Sequence, residues 1–98
     1  MSVIVEWRDR AIHETQDAHD WYETQSKGTG ERFIAELDEH IAFIQRRPTG
    51  YAKWRSHYRK VTMILFPYKV IYRVEGERII IFSVFHSSRN PSRWGRLR

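Results

Sequence analysis

The sequence predicts an α+β fold in which a small, mostly antiparallel sheet packs against a helical hairpin, with the element order β-α-α-β-β-β. A change of hydrophobic period carries this prediction. Apolar residues recur every three or four positions between residues 9 and 47, as in helices, and every second position after residue 57, as in strands. The length of 98 residues suits a single domain, spanning residues 1–98, with one core of modest size.

The first two elements are predicted to be a strand and a helix. SVIVEW is short, β-branched and ends on an aromatic residue, so the strand is expected at about Val3 to Trp7. The helix is expected to run from its N-cap Asp9 to the segment KGTG, where two glycines break it. Its apolar stripe is expected to consist of Ile12, Thr15, His19 and Tyr22, widened by Ala11, Ala18 and Trp21.

The second helix has the clearer apolar stripe. The stripe is formed by Ile34, Leu37, Ile41 and Ile44, with Phe33 beside it. The side chains expected to face solvent are Glu36, Asp38, Glu39 and Gln45. Pro48 is expected to end this helix, after two arginines that suit the negative end of the helix dipole. Because only KGTG separates the helices, we expect them to form an antiparallel hairpin.

Three strands are expected to follow, at YRKVTMIL (residues 58–65), KVIYRVE (69–75) and RIIIFSVF (78–85). Gly76 and Glu77 leave room only for a tight hairpin turn between the last two strands. Residues 79–82 are apolar on both faces, so the last strand is expected to be central and covered by the helices on one side. In the strand before it, alternation places Arg73 on the face opposite Val70, Tyr72 and Val74.

Composition limits the kinds of partner and site. Seventeen Lys and Arg against twelve Asp and Glu give a net charge of +5, which favours an acidic protein or a nucleic acid as partner. Most acids lie in residues 9–40 and most bases in residues 46–60 and 87–98, so one side of the fold is expected to be electropositive. The chain has no cysteine, and no apolar run approaches the roughly 20 residues of a membrane span, so we expect a cytoplasmic protein.

One block of the sequence carries a family resemblance. In FPYKVIYRVEGERIIIFSVFHSSRNPSRW (residues 66–94), the motifs FPY and YRV, the turn glycine, and a histidine followed by R.P..W resemble the RelE/ParE superfamily of toxins from type II toxin–antitoxin modules. The ParE branch is the most similar. The resemblance implies a RelE/ParE-like fold, a toxic activity and a ParD-like antitoxin that wraps the toxin. ParE-like members inhibit DNA gyrase, whereas RelE-like members cleave messenger RNA on the ribosome.

On the ParE interpretation, the chain binds and blocks DNA gyrase and is not an enzyme. The surface predicted to bind this target is the basic rim that follows the last strand, formed by His86, Arg89, Arg93, Trp94, Arg96 and Arg98. The antitoxin is expected to cover apolar edges of the helical hairpin and an open sheet edge, as a helix in a groove or as an added strand. Phe43, which lies off the main stripe of the second helix, is predicted to be one antitoxin contact.

The alternative is a metal-independent endoribonuclease that acts on ribosome-bound messenger RNA. This chemistry needs a proton carrier near neutral pH and cations that hold the phosphate, which would be His86 with Arg73 and Arg89. The chain departs from the RelE pattern at Lys69, where that pattern has an arginine, and at Trp94, where it has a tyrosine. An indole cannot carry the proton, so these departures favour gyrase inhibition. A third hypothesis is an inactive relative that retains only antitoxin binding.

Two further patterns bear on whether the chain binds nucleic acid, a metal ion or a phosphate-containing cofactor. The segment KWRSHYRK (residues 53–60) alternates bases with aromatic residues, as in a nucleic-acid patch, but a strand that turns Trp54 and Tyr58 inward gives the same pattern. The histidines show no metal-ligand spacing with carboxylates, and no glycine-rich phosphate loop is present. The sequence therefore predicts neither a metal nor a cofactor.

Overall fold

The computed structural model describes residues 3–88 and contains six elements in the predicted order. They are β1 (Ile4–Trp7), α1 (Asp9–Gln25), α2 (Thr29–Arg46), β2 (Tyr58–Thr62), β3 (Tyr68–Glu75) and β4 (Arg78–His86). The four strands form one mixed sheet in the order β1-β4-β3-β2. The element order and this sheet confirm the predicted α+β fold.

Strand β4 lies in the centre of the sheet, as its apolar sequence predicted. It pairs with β1 in parallel and with β3 antiparallel, while β2 pairs with the other edge of β3. The β3–β4 hairpin turns through Gly76 and Glu77, and Gly76 has a φ of 61°. Because φ is positive at Gly76 but not at Glu77, the turn has type II′ geometry, which suits the twist of the flanking strands.

Apolar side chains are buried on both faces of the sheet. The main core lies between the sheet and the helices, and its fully buried members include Phe33, Ile44, Val61, Val70, Tyr72, Ile79, Ile81 and Val84. A second cluster lies on the opposite face and consists of Tyr58, Ile71, Ile80 and Phe82, with Trp54 and Phe85 packed against it. The inward position predicted for Trp54 and Tyr58 therefore corresponds to this second cluster.

A β-bulge interrupts the alternation of β4. Ile71 pairs with Ser83 and the next residue, Tyr72, pairs with Ile81, so Phe82 is an extra residue on β4. Before the bulge the odd-numbered Ile81 faces the helices, and after it the even-numbered Val84 does so. The bulge thus reverses which face each side chain of the last part of β4 occupies.

Helix α1 packs through small residues rather than through the whole predicted stripe. Ala11 and Ala18 are buried, whereas Ile12 and Trp21 are exposed. Small side chains let the α1 backbone lie close to the sheet, and the larger residues then project beside the contact. The predicted N-cap was also wrong by one residue, because Arg8 occupies the cap position and Asp9 is the first helical residue, where its charge suits the helix dipole.

Glu36 does not face solvent as predicted, since its side chain is only 6% exposed. Its carboxylate accepts hydrogen bonds from the backbone N–H groups of Ile64 and Leu65. These groups consequently leave the β2 ladder, and β2 ends at Thr62 rather than at the predicted residue 65. The correction has a physical cause, because a buried carboxylate needs donors and the β2–β3 connection supplies them.

The turn between α1 and α2 is held by a carboxylate from α1. Glu23 accepts hydrogen bonds from the backbone N–H groups of Gly28 at 2.9 Å and Gly30 at 2.8 Å, which satisfies donors at the start of α2. The Gly28 N–H is the main reason why the pKa of Glu23 lies below its usual range. Gly30 lies against α1, where a Cβ atom would come within 2.6 Å of the His19 carbonyl oxygen. The hairpin predicted from KGTG therefore depends on a close approach that only glycine allows.

Candidate functional site

His86 is the last residue of β4 and lies at the helix-facing side of the sheet. It pairs across the sheet with Tyr68, and the two rings contact edge to face with centroids 5.2 Å apart. Its Nδ1 atom lies 3.2 Å from the backbone N–H of Ser88 and 2.9 Å from the Ser88 hydroxyl. Because an amide N–H can only donate, Nδ1 acts as an acceptor and the neutral ring carries its proton on Nε2.

A shallow cavity of about 280 Å³ surrounds this histidine. We call it the His86 pocket, and it is lined by Trp21, Tyr68, His86 and Ser88. Trp21 projects from α1 with more than half of its surface exposed. The pocket therefore combines an exposed indole with a histidine whose Nε2 side is not tied to the Ser88 turn, which is a suitable combination for contact with a macromolecule.

Arg73, the described one of the two cations proposed for phosphate binding, does not lie beside His86. Arg73 lies on the face of the sheet opposite α1 and α2. Its guanidinium carbon is 5.5 Å from the Tyr58 ring centroid and 5.2 Å from that of Phe82. His86 lies on the other face because the bulge reverses the alternation of β4. Arg59 is engaged elsewhere, since it donates to the Tyr51 carbonyl oxygen at 2.7 Å.

The rest of the predicted rim falls beyond the part of the chain that the structure describes. Those positions are Arg89, Arg93, Trp94, Arg96 and Arg98. The described portion of the rim is thus His86 with its Ser88 turn.

The bulge that sets the position of His86 is held by α1. Glu14 accepts hydrogen bonds from the Ser83 hydroxyl and from the backbone N–H of Val84, the latter at 2.9 Å. Arg10 contacts the other carboxylate oxygen of Glu14 at 3.3 Å. Since β1 pairs with β4 only as far as Ile81, the Glu14 carboxylate satisfies a donor on β4 beyond the end of the parallel ladder.

A larger groove of about 500 Å³ lies between α1 and α2, with Trp7 of β1 in its lining. We call it the hairpin groove, and it is lined by Trp7, Ile12, Thr15, Gln16, His19, Glu31 and Ile34. Ile12 and His19 belong to the stripe predicted to be core, but the structure places them in this groove. The groove is mostly apolar with a polar end, which suits the apolar face of an amphipathic helix.

His19 connects the two helices at the polar end of the hairpin groove. Its Nδ1 lies 3.0 Å from an Asp20 carboxylate oxygen and its Nε2 lies 3.0 Å from one of Glu31. The hydrogen bond to Asp20, followed by that to Glu31, raises the pKa of His19 above its ordinary value of 6.5. A raised pKa means that the contribution of this contact to stability is complete below pH 6.5 and is lost as pH rises through the folded-state pKa.

We therefore expect an NMR titration of the His19 ring to show a midpoint above 6.5, because two carboxylates favour the imidazolium. The Glu31→Gln variant should move this midpoint downward, since it removes the carboxylate on the opposite helix. Glu39→Gln, which changes an exposed carboxylate on α2 away from His19, serves as the control and should leave the midpoint unchanged. A wild-type midpoint at or below 6.5 would contradict this account of the contact.

Phe43 is partly buried against the connection that follows α2. Its ring contacts the Tyr51 ring edge to face at a centroid distance of 5.0 Å, and the Arg46 guanidinium carbon lies 5.9 Å from its centroid. Gly50 lies beneath it, where a Cβ atom would come within 2.9 Å of the Phe43 ring. Phe43 therefore has a packing role within the chain, and its predicted contact with an antitoxin stays a prediction.

A buried polar network beneath the β2–β3 connection was missed in the sequence. Glu36 lies 2.7 Å from His40 Nε2, and His40 Nδ1 lies 2.9 Å from the Tyr51 hydroxyl. This network fixes the apolar tip, which consists of Ile64 and Leu65 and is 82% and 75% exposed at those residues. The spacing of Glu36 and His40, four residues apart on a helix, was the available signal, but such spacing is equally common on solvated helix faces.

Among residues 3–88, no group of three or more His, Cys, Asp and Glu side chains is placed to hold a metal ion. Neither helix in this range is long and apolar enough to cross a membrane. The hairpin groove and the His86 pocket are two candidate interaction sites in the described part of the chain.

Comparison with known proteins identifies the family. A family model described as the ParE toxin of the type II toxin–antitoxin system parDE matches residues 5–91. The chain belongs to this ParE toxin family. No curated protein matches the sequence. The family assignment therefore rests on the family model.

Solved structures agree with the ParE assignment at the level of the fold. A chain of the chromosomal ParDE toxin–antitoxin system from P. aeruginosa superimposes with a TM-score of 0.75 and 17% identity, covering 86% of this chain and 95% of that one. A chain of the intact E. coli RelBE toxin–antitoxin complex gives 0.64 and 14%, covering 89% and 99%. The isolated E. coli RelE toxin gives 0.63 and 13%, covering 95% and 93%. The family model over residues 5–91 confirms the RelE/ParE superfamily predicted from the block at residues 66–94, and these structures agree with it in fold.

Proposed function

We propose that this ParE-family toxin acts by binding DNA gyrase and blocking it, without cleaving RNA. The observation that carries the proposal is the separation of His86 from Arg73 by the thickness of the sheet. A ribonuclease needs its proton carrier and a phosphate-binding cation on the same side of the scissile bond, within reach of one phosphate. Family membership supports the same conclusion, because the matching family model is that of ParE.

The bonding of His86 also supports a binding role. Its Nδ1 atom is occupied by the backbone N–H and hydroxyl of Ser88, so the imidazole holds the turn that follows β4. The imidazole also lines the His86 pocket, together with Trp21. In this proposal the rim from His86 onward, with Arg89, Arg93, Trp94, Arg96 and Arg98, contacts the target.

The restraining partner in the proposal is a ParD-like antitoxin. The titles of two structural neighbours name toxin–antitoxin assemblies, ParDE and RelBE. The hairpin groove offers an apolar channel for an antitoxin helix, and the carboxylate of Glu31 at its polar end favours a basic residue on that helix. Phe43 is kept as a second proposed antitoxin contact, at the other end of α2.

The test uses a His86→Asn variant. The amide oxygen of asparagine can still accept the Ser88 hydrogen bonds, but asparagine cannot carry a proton near neutral pH. If the protein acts by binding, inhibition of gyrase supercoiling by the purified variant should stay within about threefold of wild type, since one contact of several is altered. His13→Asn, at an exposed position on α1, is the matched control.

The same preparations are tested for RNA cleavage in a translating ribosome system, with new 5′ ends mapped by primer extension. We expect no new ends with either protein. Cleavage by the wild type that falls by about 10²-fold or more in His86→Asn, but not in His13→Asn, would replace gyrase inhibition by the ribonuclease mechanism. Absence of both cleavage and supercoiling inhibition would favour the inactive relative that only binds antitoxin.

A further inference from the structure

The face of the sheet opposite α1 and α2 carries six of the thirteen Lys and Arg side chains of residues 3–88. We call this surface the cationic face, and its six cations come from five segments. They are Arg8, Arg55, Lys60, Lys69, Arg73 and Arg78. Within residues 3–88, the carboxylates that contact these cations are Glu6 and Glu75.

The opposite layer has the reverse charge. Helices α1 and α2 contain nine acidic residues and three basic ones. The molecule is therefore electrically polarised across the sheet, with the acids on the helical layer and an excess of cations on the cationic face. Such a separation steers partners of opposite charge to opposite sides of a small protein.

Aromatic rings hold several of the cations in place. The guanidinium carbons of Arg8 and Arg73 each lie 5.2 Å from the centroid of the Phe82 ring, so they are within twice that distance of each other. Arg55 and Lys60 lie over the Trp54 ring at 4.6 Å and 5.6 Å. Cations packed on rings lose fewer conformations when they bind, so the face is organised before a partner arrives.

The cationic face has fewer hydrogen-bond acceptors than its donors could use. Arg73 Nε and the Tyr58 hydroxyl are buried without a hydrogen-bond partner in the described part of the chain. Arg73 pairs through its other end with Glu75, and Arg78 bridges Glu75 and Glu6 at 3.0 Å. The face thus already binds carboxylates, and two carboxylates are too few for six cations.

We propose that the cationic face is a docking surface for an acidic, extended polypeptide segment whose carboxylates pair with Arg8, Arg73 and the cations over Trp54. Charge complementarity and the acceptor deficit identify the chemistry of the partner. Carboxylates four residues apart on an extended segment lie about 13 Å from each other, which is close to the separation of Lys69 and Arg73 along β3. This surface is separate from the His86 pocket, so the inference does not depend on the identity of the target.

A polypeptide fits this face better than single-stranded nucleic acid. Nucleic acid bound without sequence preference requires open aromatic rings on which bases stack. Here the Phe82 and Tyr58 rings are buried and lie beneath guanidinium groups, and Trp54 is flanked by two cations. What the surface presents to a partner is therefore charged forks, which pair with carboxylates bidentately.

The test measures fluorescence anisotropy with a labelled peptide of about twelve residues in which glutamate alternates with threonine. The double variant Arg8→Gln, Arg73→Gln should bind this peptide about tenfold more weakly than wild type. The matched control is Arg32→Gln, Arg46→Gln, which removes two charges and one cation–ring contact from the helical layer. It should bind within about twofold of wild type. If the first variant melts early, Arg55→Gln with Lys60→Gln takes its place.

Four outcomes would overturn the proposal. The first is no binding of the peptide by the wild type up to millimolar concentration. The second is equal weakening by the two double variants, which would mean that only net charge matters. The third is tighter binding of an oligouridylate of the same length with the same dependence on Arg8 and Arg73, which would make the face a nucleic-acid surface. The fourth is self-association of the chain that competes with the peptide and disappears in high salt. This result would mean that the cationic face binds the helical layer of a second copy.

Discussion

Replacing Glu36 with glutamine is expected to lower the free energy of unfolding at neutral pH by about 2–4 kcal/mol. The carboxylate uses both oxygens, since one accepts from Leu65 N–H and the other from Ile64 N–H and His40. A glutamine side chain has one acceptor oxygen, so its NH₂ group would face one of these donors. A buried donor would then lose its acceptor beneath the apolar tip.

The loss should depend on pH. Burial alone would raise the pKa of Glu36, but the N–H of Ile64, with His40 and the N–H of Leu65, outweighs burial and lowers it. A lowered folded-state pKa stabilises the protein above the unfolded-state value of about 4.3, and the stabilisation disappears as pH falls through the folded-state pKa. The difference between wild type and Glu36→Gln should accordingly shrink toward pH 3.

Urea denaturation at neutral pH and near pH 3 measures both effects. Glu39→Gln, an exposed change on the same helix, is the control and should alter the free energy of unfolding by no more than about 0.5 kcal/mol. A Glu36→Gln variant that behaves like the control, or whose deficit is the same at both pH values, would show that the buried network does not hold the β2–β3 connection.

The second large effect is expected for Gly30→Ala. In an exposed helix interior this change stabilises a protein by about 1 kcal/mol. Here the new Cβ would lie 2.6 Å from the His19 carbonyl oxygen and 2.7 Å from Glu23 Cγ, so α1 and α2 must move apart. Overpacking at a backbone contact typically costs about 1–3 kcal/mol, and the Glu23 cap of α2 would be strained at the same time. We therefore expect net destabilisation.

Chemical denaturation of Gly30→Ala is compared with that of Ala35→Gly. Ala35 is exposed on the same helix, so Ala35→Gly reports the propensity difference alone, about 1 kcal/mol of destabilisation. Gain of stability in Gly30→Ala would refute the close contact between the helices. The result also bears on function, because the two helices line the hairpin groove and their separation sets its width.

The hydrophobic period of the sequence was sufficient to predict the fold. Residues 79–82 are apolar on both faces of a strand, and such a strand can be stable only in the centre of a covered sheet, where β4 lies. The helical stripe of α2 is buried as predicted at Leu37, Ile41 and Ile44. On α1 the stripe was only partly right, because alanines allow a closer approach than the isoleucine and tryptophan beside them.

The candidate site was less predictable, since it depends on contacts between residues far apart in the chain. Glu36 looked solvated because a carboxylate on a helix usually is, and its donors lie 28 and 29 residues away. The hairpin groove arose from residues assigned to the core. The cationic face could be anticipated only in part, from the alternation that put Arg73 opposite Tyr72.

The sequence by itself determined the element order, the central position of β4, the basic character of the chain and the resemblance to ParE toxins. Only the tertiary structure decided on which face His86 lies. Counting by alternation from Ile81, a regular strand would place residue 86 on the same face as Arg73. The extra residue at Phe82, held by the Glu14 carboxylate from α1, turns His86 to the helix side instead. The alternation of side chains along a strand follows from the local sequence, whereas its register and bulges depend on the groups that hydrogen-bond to its backbone.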